Sequence, residues 1–526
     1  MSGILDKSNR MHQIGFLLLL GVAVLGVVVI LVQTRFGLGT TGDSVRYLMG
    51  AQNLLDGNGY SRFSGGGEIR PITMFPPFYS VVLAGVKIMG LDLYDGARLL
   101  HALLFGLNIF LVGLLIFRYT RSAWAALIGS LFILVAKDLV FYHTWVLTEA
   151  VFITMMLVSI YGLIQFLEHR NTTLLILLGI LVGAATMTRY VGLSLTMAGA
   201  FSILVLSDVD WRKRLLDCLV FGAISAAPVL LWLRRNATLT GSSVNRSFIY
   251  HPMSTELIRA YRAEISYWFV PKGLNFPHSL RKPIMLLIGI PGPILFFLVQ
   301  FRENFLRRNQ PRKPFWALPW ILIFFAISYV GLLFFNLTLL DAISDFNTVP
   351  RYLVPVYIAA VILFVIAFHR LTNLAGKWLF LRGTVVALSF ILIVLFAQET
   401  SLILQDPLSS IGYSGLKQQR PETVEMLESI EASAPIISND PEMVYIFADR
   451  PAYLLPLQVD FHTTMEREDF DQQVSATREK LLRGGVIVLF SPMTENELKV
   501  VELLDAELLD VFYGSSFYGY PEVIAE

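Results

Sequence analysis

PPFYSVVLAGV, residues 76–86, is the run on which the reading of the fold turns. It is apolar enough to be mistaken for a membrane span, yet it opens on two prolines and is followed closely by Lys87 and Gly90. A spanning helix needs about 20 apolar residues, so this run reads as an interfacial or re-entrant helix. If it does not cross, residues 34–97 form one large loop between the first two spans. Every strongly basic connection downstream then falls on the side of the N-terminus: RYTR at 118–121, WRKR at 211–214, RENFLRRNQPRK at 302–313, and 370–382. That is the positive-inside pattern, and it predicts a cytoplasmic N-terminus. Counting 76–86 as a span would invert every one of these loops.

The rest of the chain fits a polytopic membrane protein. Of its 526 residues 55% are hydrophobic and only 15% charged, and the mean hydropathy is +0.62, outside the range of soluble globular domains. Apolar runs near 15–33, 98–117, 123–141, 145–167, 173–187, 190–207, 216–233, 284–301, 315–339, 352–368 and 383–404 predict about eleven spans. The first carries no convincing cleavage site and is expected to be retained. Beyond residue 404 the composition changes to mixed polar and apolar. Helix-like pieces (421–432, 469–483, 494–504) there alternate with strand-like ones (435–438, 485–490, 508–513). The expectation is an α-helical membrane domain, 1–404, followed by a small α/β soluble domain, 405–526, placed by parity outside the cytoplasm. The single cysteine, Cys218, supplies neither a disulfide framework nor a thiolate metal site. No phosphate-loop, zinc-protease or nucleophile-elbow motif is present, and nothing points to nucleic acid.

Chemistry is expected where polar residues interrupt this apolar background. TTGDSVRYLMGAQNLLDGNGY, residues 40–60, places Asp43 at the head of an amphipathic helix, 44–55, whose Tyr47, Leu48, Ala51, Leu54 and Leu55 share one face. Asp43 reads in two ways, as a helix N-cap and as a general base at the membrane surface. Glu149 and Arg189 lie at the ends of spans, where ionisable groups are costly and mark function. Arg189 follows a run too short to cross fully and is expected at the floor of a cavity, where a guanidinium suits a phosphate. Arg234, Arg235 and Arg351 fall at the same predicted level. With Arg70 and Arg189 they suggest a set of cations around one acid, suited to an anionic lipid-phosphate substrate. A transporter or flippase, and a non-catalytic envelope scaffold, are the competing classes. The charges gather at one face and no internal repeat is visible, which disfavours the transporter.

The ordered motifs resemble those of the GT-C glycosyltransferases, in particular the branch with the bacterial protein mannosyltransferase and lipid A aminoarabinose transferase relatives. The matching pieces are Gly42-Asp43 with Tyr47, Ala51 to Gly57 with Tyr60, Pro76-Pro-x-Tyr79, Ala97-Arg98-Leu, Thr148-Glu149-Ala, Thr188-Arg189, Arg235-Asn236 and Arg351-Tyr352-x-x-Pro355. The resemblance covers roughly residues 15–400. It implies inverting transfer of a sugar from a polyprenyl-phosphate donor to a hydroxyl of a glycan, lipid or protein acceptor on the outer face of the plasma membrane. Asp43 would be the base and Glu149 a second catalytic acid. The substrate-binding set is Tyr47, Arg70, Tyr79, Arg189, Tyr190, Arg235, Asn236, Arg351 and Tyr352. Phe75 stands where the aminoarabinose transferases have a lysine, and Arg70 is the expected substitute. Some relatives use a divalent cation; no acidic cluster in this sequence asks for one.

Overall fold

In the computed structural model the deciding run forms a helix, Phe78–Ile88, of 11 residues, which at ~1.5 Å per residue is about half a hydrocarbon core. The model describes residues 2–65, 67–243, 248–272, 314–340, 348–374, 379–405, 412–459 and 466–521. The chain divides into two compact units, one division falling at 405/406 beside the expected boundary, with residues 34–98 and 144–147 grouped with the C-terminal stretch. One unit comprises residues 1–33, 99–143 and 148–405; the other joins 34–98 and 144–147 to 406–526.

The first unit is helical. Among the described residues of the whole chain, six helices are long and apolar enough to cross a membrane: Gln13–Gln33, Leu93–Thr120, Glu149–His169, Trp211–Thr240, Leu318–Leu339 and Val349–Asn373. A seventh is the pair Ala123–Leu134 and Lys137–His143, bent by 61° at its break, if the two count as one span. The protein is an integral membrane protein. Eleven spans were expected. The runs 173–187, 190–207 and 383–404 fall on shorter apolar helices, Thr172–Thr188, Tyr190–Leu206 and Val386–Leu402, while 284–301 lies outside the described residues.

Small residues let these helices approach. Helix Trp211–Thr240 lies along Thr172–Thr188, where a Cβ on Gly183 would stand 3.1 Å from the Pro228 ring and 3.2 Å from the Ser225 carbonyl oxygen. Between apolar helices in lipid, such van der Waals fit replaces the hydrophobic effect as the source of association. At the far end of the same pair, Asp217 accepts from Arg170 at 2.9 Å and pairs with Lys213 at 2.7 Å.

The second unit contains the loop of residues 34–98. Helix Gly42–Leu55 packs on helix Phe78–Ile88 through edge-to-face rings, Tyr47 on Tyr79 at 5.2 Å, and through the Ser80 hydroxyl, which donates to the Tyr47 carbonyl at 2.9 Å. Close contact requires Gly50, where a Cβ would meet the Tyr60 ring at 2.6 Å. A hairpin the sequence pattern did not announce, β1 (Ser61–Ser64) with β2 (Glu68–Pro71), connects the two helices.

The α/β portion of this unit has a five-stranded sheet in the order β4 (Tyr453–Leu454), β3 (Ile436–Ser438), β5 (Val486–Phe490), β7 (Ser515–Gly519), β6 (Glu507–Phe512). The strand-like pieces 435–438, 485–490 and 508–513 fall on β3, β5 and β6. The sheet is mixed, because β3 pairs in parallel with β4 and β5, whereas β7 runs antiparallel to β5 and β6. Alternation along the strands splits the core in two. Ile436, Val486, Val488 and Phe490 pack with helices Pro421–Ser429 and Pro441–Ala448. Ile437, Ile487 and Leu489 pack with Leu481, Val500 and Val501 from helices Phe470–Leu481 and Glu495–Leu503.

Candidate functional site

Asp43 lies in the first turn of helix Gly42–Leu55 and is half-buried. It is not the N-cap. That role belongs to Thr41, whose hydroxyl accepts from the Ser44 backbone N–H while the Ser44 hydroxyl accepts from the Thr41 N–H at 3.1 Å. This reciprocal pair satisfies the Thr41 and Ser44 backbone N–H groups, so the capping box is complete without the carboxylate of Asp43. Tyr47 and Tyr79, expected at the substrate, are buried in the seam between the two helices, where Tyr47 also meets the Phe75 ring at 5.4 Å. Arg70 stands on the exposed hairpin strand β2 and pairs with Glu68 at 2.9 Å, both side chains about three-fifths exposed.

Within the helical unit, Glu149, Arg189 and Arg351 come together. Glu149 heads helix Glu149–His169, Arg189 ends helix Thr172–Thr188, and Arg351 stands in the first turn of helix Val349–Leu374. Two antiparallel helices and the start of a third therefore deliver these side chains to one level. The Glu149 carboxylate is 2% exposed and accepts from both guanidiniums, from Arg189 Nη1 and from Arg351 Nε, with Arg351 Nη2 at 3.5 Å from its other oxygen. Arg189 Nη1 also donates to the Thr148 hydroxyl at 3.1 Å. Among the described residues, two guanidiniums thus meet at one carboxylate.

A second chain of contacts leads away from Arg189. The next residue, Tyr190, accepts at its hydroxyl from Trp232 Nε1 at 2.8 Å. The Trp232 ring lies under the Arg235 guanidinium, 4.8 Å from its centroid, and Arg235 Nη1 donates to Asn236 Oδ1 at 3.2 Å. Asn236 is fully buried. Tyr352 is half-buried next to Arg351. The sequence reading assigned roles to the charged members of this assembly and to Tyr190, Asn236 and Tyr352, quoted Thr148 only within a matching motif, and did not name Trp232. A hydroxyl beside the acid and an indole one helical turn before Arg235 were the only signals, and neither is specific.

A third polar cluster was not anticipated. Glu264, on helix Thr255–Tyr267, accepts from Lys272 Nζ at 3.1 Å, and the Glu399 carboxylate takes the Lys272 backbone N–H at 3.1 Å with Lys137 Nζ at 3.8 Å. Burial and the neighbouring charge of Asp138 push the Glu264 carboxyl up to about 7, against the pull of the Lys272 ammonium. Among the described residues no three His, Cys, Asp or Glu side chains converge as a metal site.

Three comparisons bear on this geometry. The family model for dolichyl-phosphate-mannose-protein mannosyltransferases matches residues 67–237. The crystal structure of ArnT from Cupriavidus metallidurans in the apo state superposes with a TM-score of 0.57 at 15% identity, covering 94% of this chain and 96% of that one. The archaeal oligosaccharyltransferase AglB from Archaeoglobus fulgidus aligns at 12% identity over 95% of this chain and 74% of its own, with a TM-score of 0.49. No curated protein matches the chain at the level of sequence. The similarity to GT-C glycosyltransferases expected from the ordered motifs is borne out, and the fold is theirs.

Proposed function

We propose that this chain, built on the GT-C fold, is a membrane glycosyltransferase. It moves a sugar from a polyprenyl-phosphate donor to an acceptor hydroxyl, with inversion, on the extracytoplasmic side. Asp43 takes the proton of the acceptor hydroxyl as that oxygen attacks the anomeric carbon. The bond from that carbon to the phosphate oxygen breaks, and the polyprenyl phosphate departs with the electron pair. Arg189 and Arg351 stabilise its developing charge, since a guanidinium offers a fixed fork of donors to phosphate oxygens.

The observation that carries this reading is the buried Glu149 carboxylate shared by two arginines from different helices. An oxygen that already accepts from two guanidiniums is a poor proton acceptor. The role we assign to Glu149 is therefore to aim the two arginines, in place of the catalytic role that the family resemblance suggested. Arg235, stacked on Trp232, lends further positive charge to the same unit. The buried Tyr79 supports the Asp43 helix through its contact with Tyr47.

The test is mass spectrometry of envelope glycans and polyprenyl-phosphate lipids in a deletion strain, rescued by wild type or by Asp43→Asn at matched expression. Loss of a glycan that only the wild type restores supports the transferase, and the missing sugar names the donor. Full rescue by Asp43→Asn removes the base and the reading with it.

A further inference from the structure

In an open sheet with helices on both faces, ligands bind at the carboxyl ends of two neighbouring strands whose outgoing connections leave to opposite faces. In the α/β portion of the second unit that place lies between β3 and β5. The chain leaves β3 into helix Pro441–Ala448 on one face and leaves β5 into helix Glu495–Leu503 on the other. The loop there is rigidly built. Asn439 exchanges two hydrogen bonds with the Phe490 backbone, at 3.0 and 2.9 Å, and so ties the end of β3 to the end of β5. Asp440 caps the helix by accepting from the Met443 N–H at 3.0 Å, and its other oxygen accepts from the Tyr413 hydroxyl at 2.6 Å.

The helix that follows β3 is met by an arginine of the first loop. Glu442 Oε1 accepts from Arg46 Nη2 at 2.7 Å, with Arg62 Nη1 at 3.9 Å. Arg46 belongs to the helix that carries Asp43, and its guanidinium lies over the Phe75 ring, 5.7 Å from the centroid. The Glu442 side chain runs along the first turn of that helix: a Cβ on Gly42 would stand 3.8 Å from Glu442 Cγ. On the other side of Asp43, Thr40 is held by the same portion of the chain. Its carbonyl accepts from the Tyr413 N–H at 3.1 Å, and its hydroxyl accepts from the Ser414 N–H at 3.1 Å and meets the Ser414 hydroxyl at 2.8 Å. Asp43 thus sits three residues after one anchor and three before the other.

We infer that Glu442 is a positioning residue for Asp43: the helix that follows β3 holds Arg46 through Glu442, and so fixes the orientation of the helix that bears the base. The inference rests on the reading of Asp43 as that base. It gives the C-terminal portion a part in turnover, without contact between Glu442 and the reacting atoms.

The experiment uses the full chain in the deletion strain. Wild type, Glu442→Ala, Arg46→Ala, the double variant, Arg46→Lys and Asp43→Asn are expressed from an inducible promoter. The initial rate of glycan restoration is normalised to folded protein extracted in detergent. A displacement of the catalytic group by about 1 Å costs on the order of 10²-fold. Glu442→Ala and Arg46→Ala are therefore each expected to slow restoration by about 10- to 100-fold. The double variant should be no slower than either single one, as for two ends of one contact, while Arg46→Lys keeps the charge pair and most of the rate. Wild-type rates in both alanine variants, with Asp43→Asn inactive, overturn the inference and leave the proposed function standing. Additive losses in the double variant also overturn it, because the two residues would then act separately. Activity in Asp43→Asn removes the base, and the inference falls with it.

Discussion

Gly192 lies backbone to backbone against Ala185: a Cβ at Gly192 would stand 2.7 Å from the Ala185 carbonyl carbon and oxygen and from Thr186 Cα. The Gly192 N–H donates to the Arg189 carbonyl at 2.8 Å, closing the short 3₁₀ turn Tyr190–Gly192. The turn reverses the chain directly after Arg189, so the position of that guanidinium depends on a residue with no side chain.

Gly192→Ala is accordingly expected to destabilise the protein by about 1–3 kcal/mol, the range for overpacking a filled site. It should also reduce glycan restoration as severely as a substitution of Arg189 itself. Melting in detergent and the rescue assay check the two halves. Wild-type behaviour in both would show that the turn yields.

Glu149 supplies the next case. Glu149→Ala strands two guanidiniums that are 14% and 18% exposed, and breaking a buried pair by removing one partner costs about 3–5 kcal/mol. Glu149→Gln keeps an oxygen acceptor of the same reach and should cost clearly less in thermal stability. It should still impair turnover, because the arginines lose the charge that aims them. Equal melting of the two variants would mean that the retained oxygen acceptor adds nothing and that only the lost charge matters.

The rise of the Glu264 carboxyl from its ordinary 4.5 to about 7 makes stability depend on pH in a defined window. Between those values the unfolded chain has released the proton and the folded one keeps it, so rising pH favours unfolding. Stability from this group should fall from pH 4.5 to about pH 7 and level off above. A Glu264→Gln variant should lack that slope in melting experiments; an unchanged slope would assign it to another group.

Gly412 sits at φ +55°, with the Thr40 carbonyl and the Trp145 ring where a side chain would be, the ring at 2.7 Å. Gly412→Ala should therefore separate residues 412–414 from Thr40. The chain has one cysteine of its own, Cys218, so a Thr40→Cys/Ser414→Cys pair can report this directly. The disulfide is expected to form in the wild-type background and to fail in Gly412→Ala, by mass spectrometry of the unreduced protein.

Much of the helical layout was legible, because hydropathy over about 20 residues is a strong signal. Ten of the eleven apolar runs coincide with described helices, though three of those are shorter than the six independent spanning helices. Glu149, Arg189 and Arg351 stood out as charges at the ends of apolar runs. That they share one contact could not be read from chain distance, since 40 residues separate the first two and 202 the first and third. Asp43 was legible as a candidate, but which residue caps its helix was not, because Thr41 and Asp43 are both good capping residues and only backbone geometry decides between them. Tyr47 and Tyr79 looked like binding residues for the same reason that aromatic residues fill cores. Glu442 and Arg46 were invisible because the pair spans 396 positions and neither residue type is unusual on its helix.

The unit that holds Asp43 is drawn from three stretches of chain, 34–98, 144–147 and 406–526. This gives the protein a clock. Synthesis at about 5–20 residues per second means that the first stretch leaves the ribosome roughly 15–60 s before the last begins to appear. During that interval Thr40 and Arg46 lack the residues that anchor them, while the intervening helices are being inserted. A chain that stalls or is cut short before residue 406 carries Asp43 without these supports, so the helix that bears it gains its anchors only once the third stretch has been made.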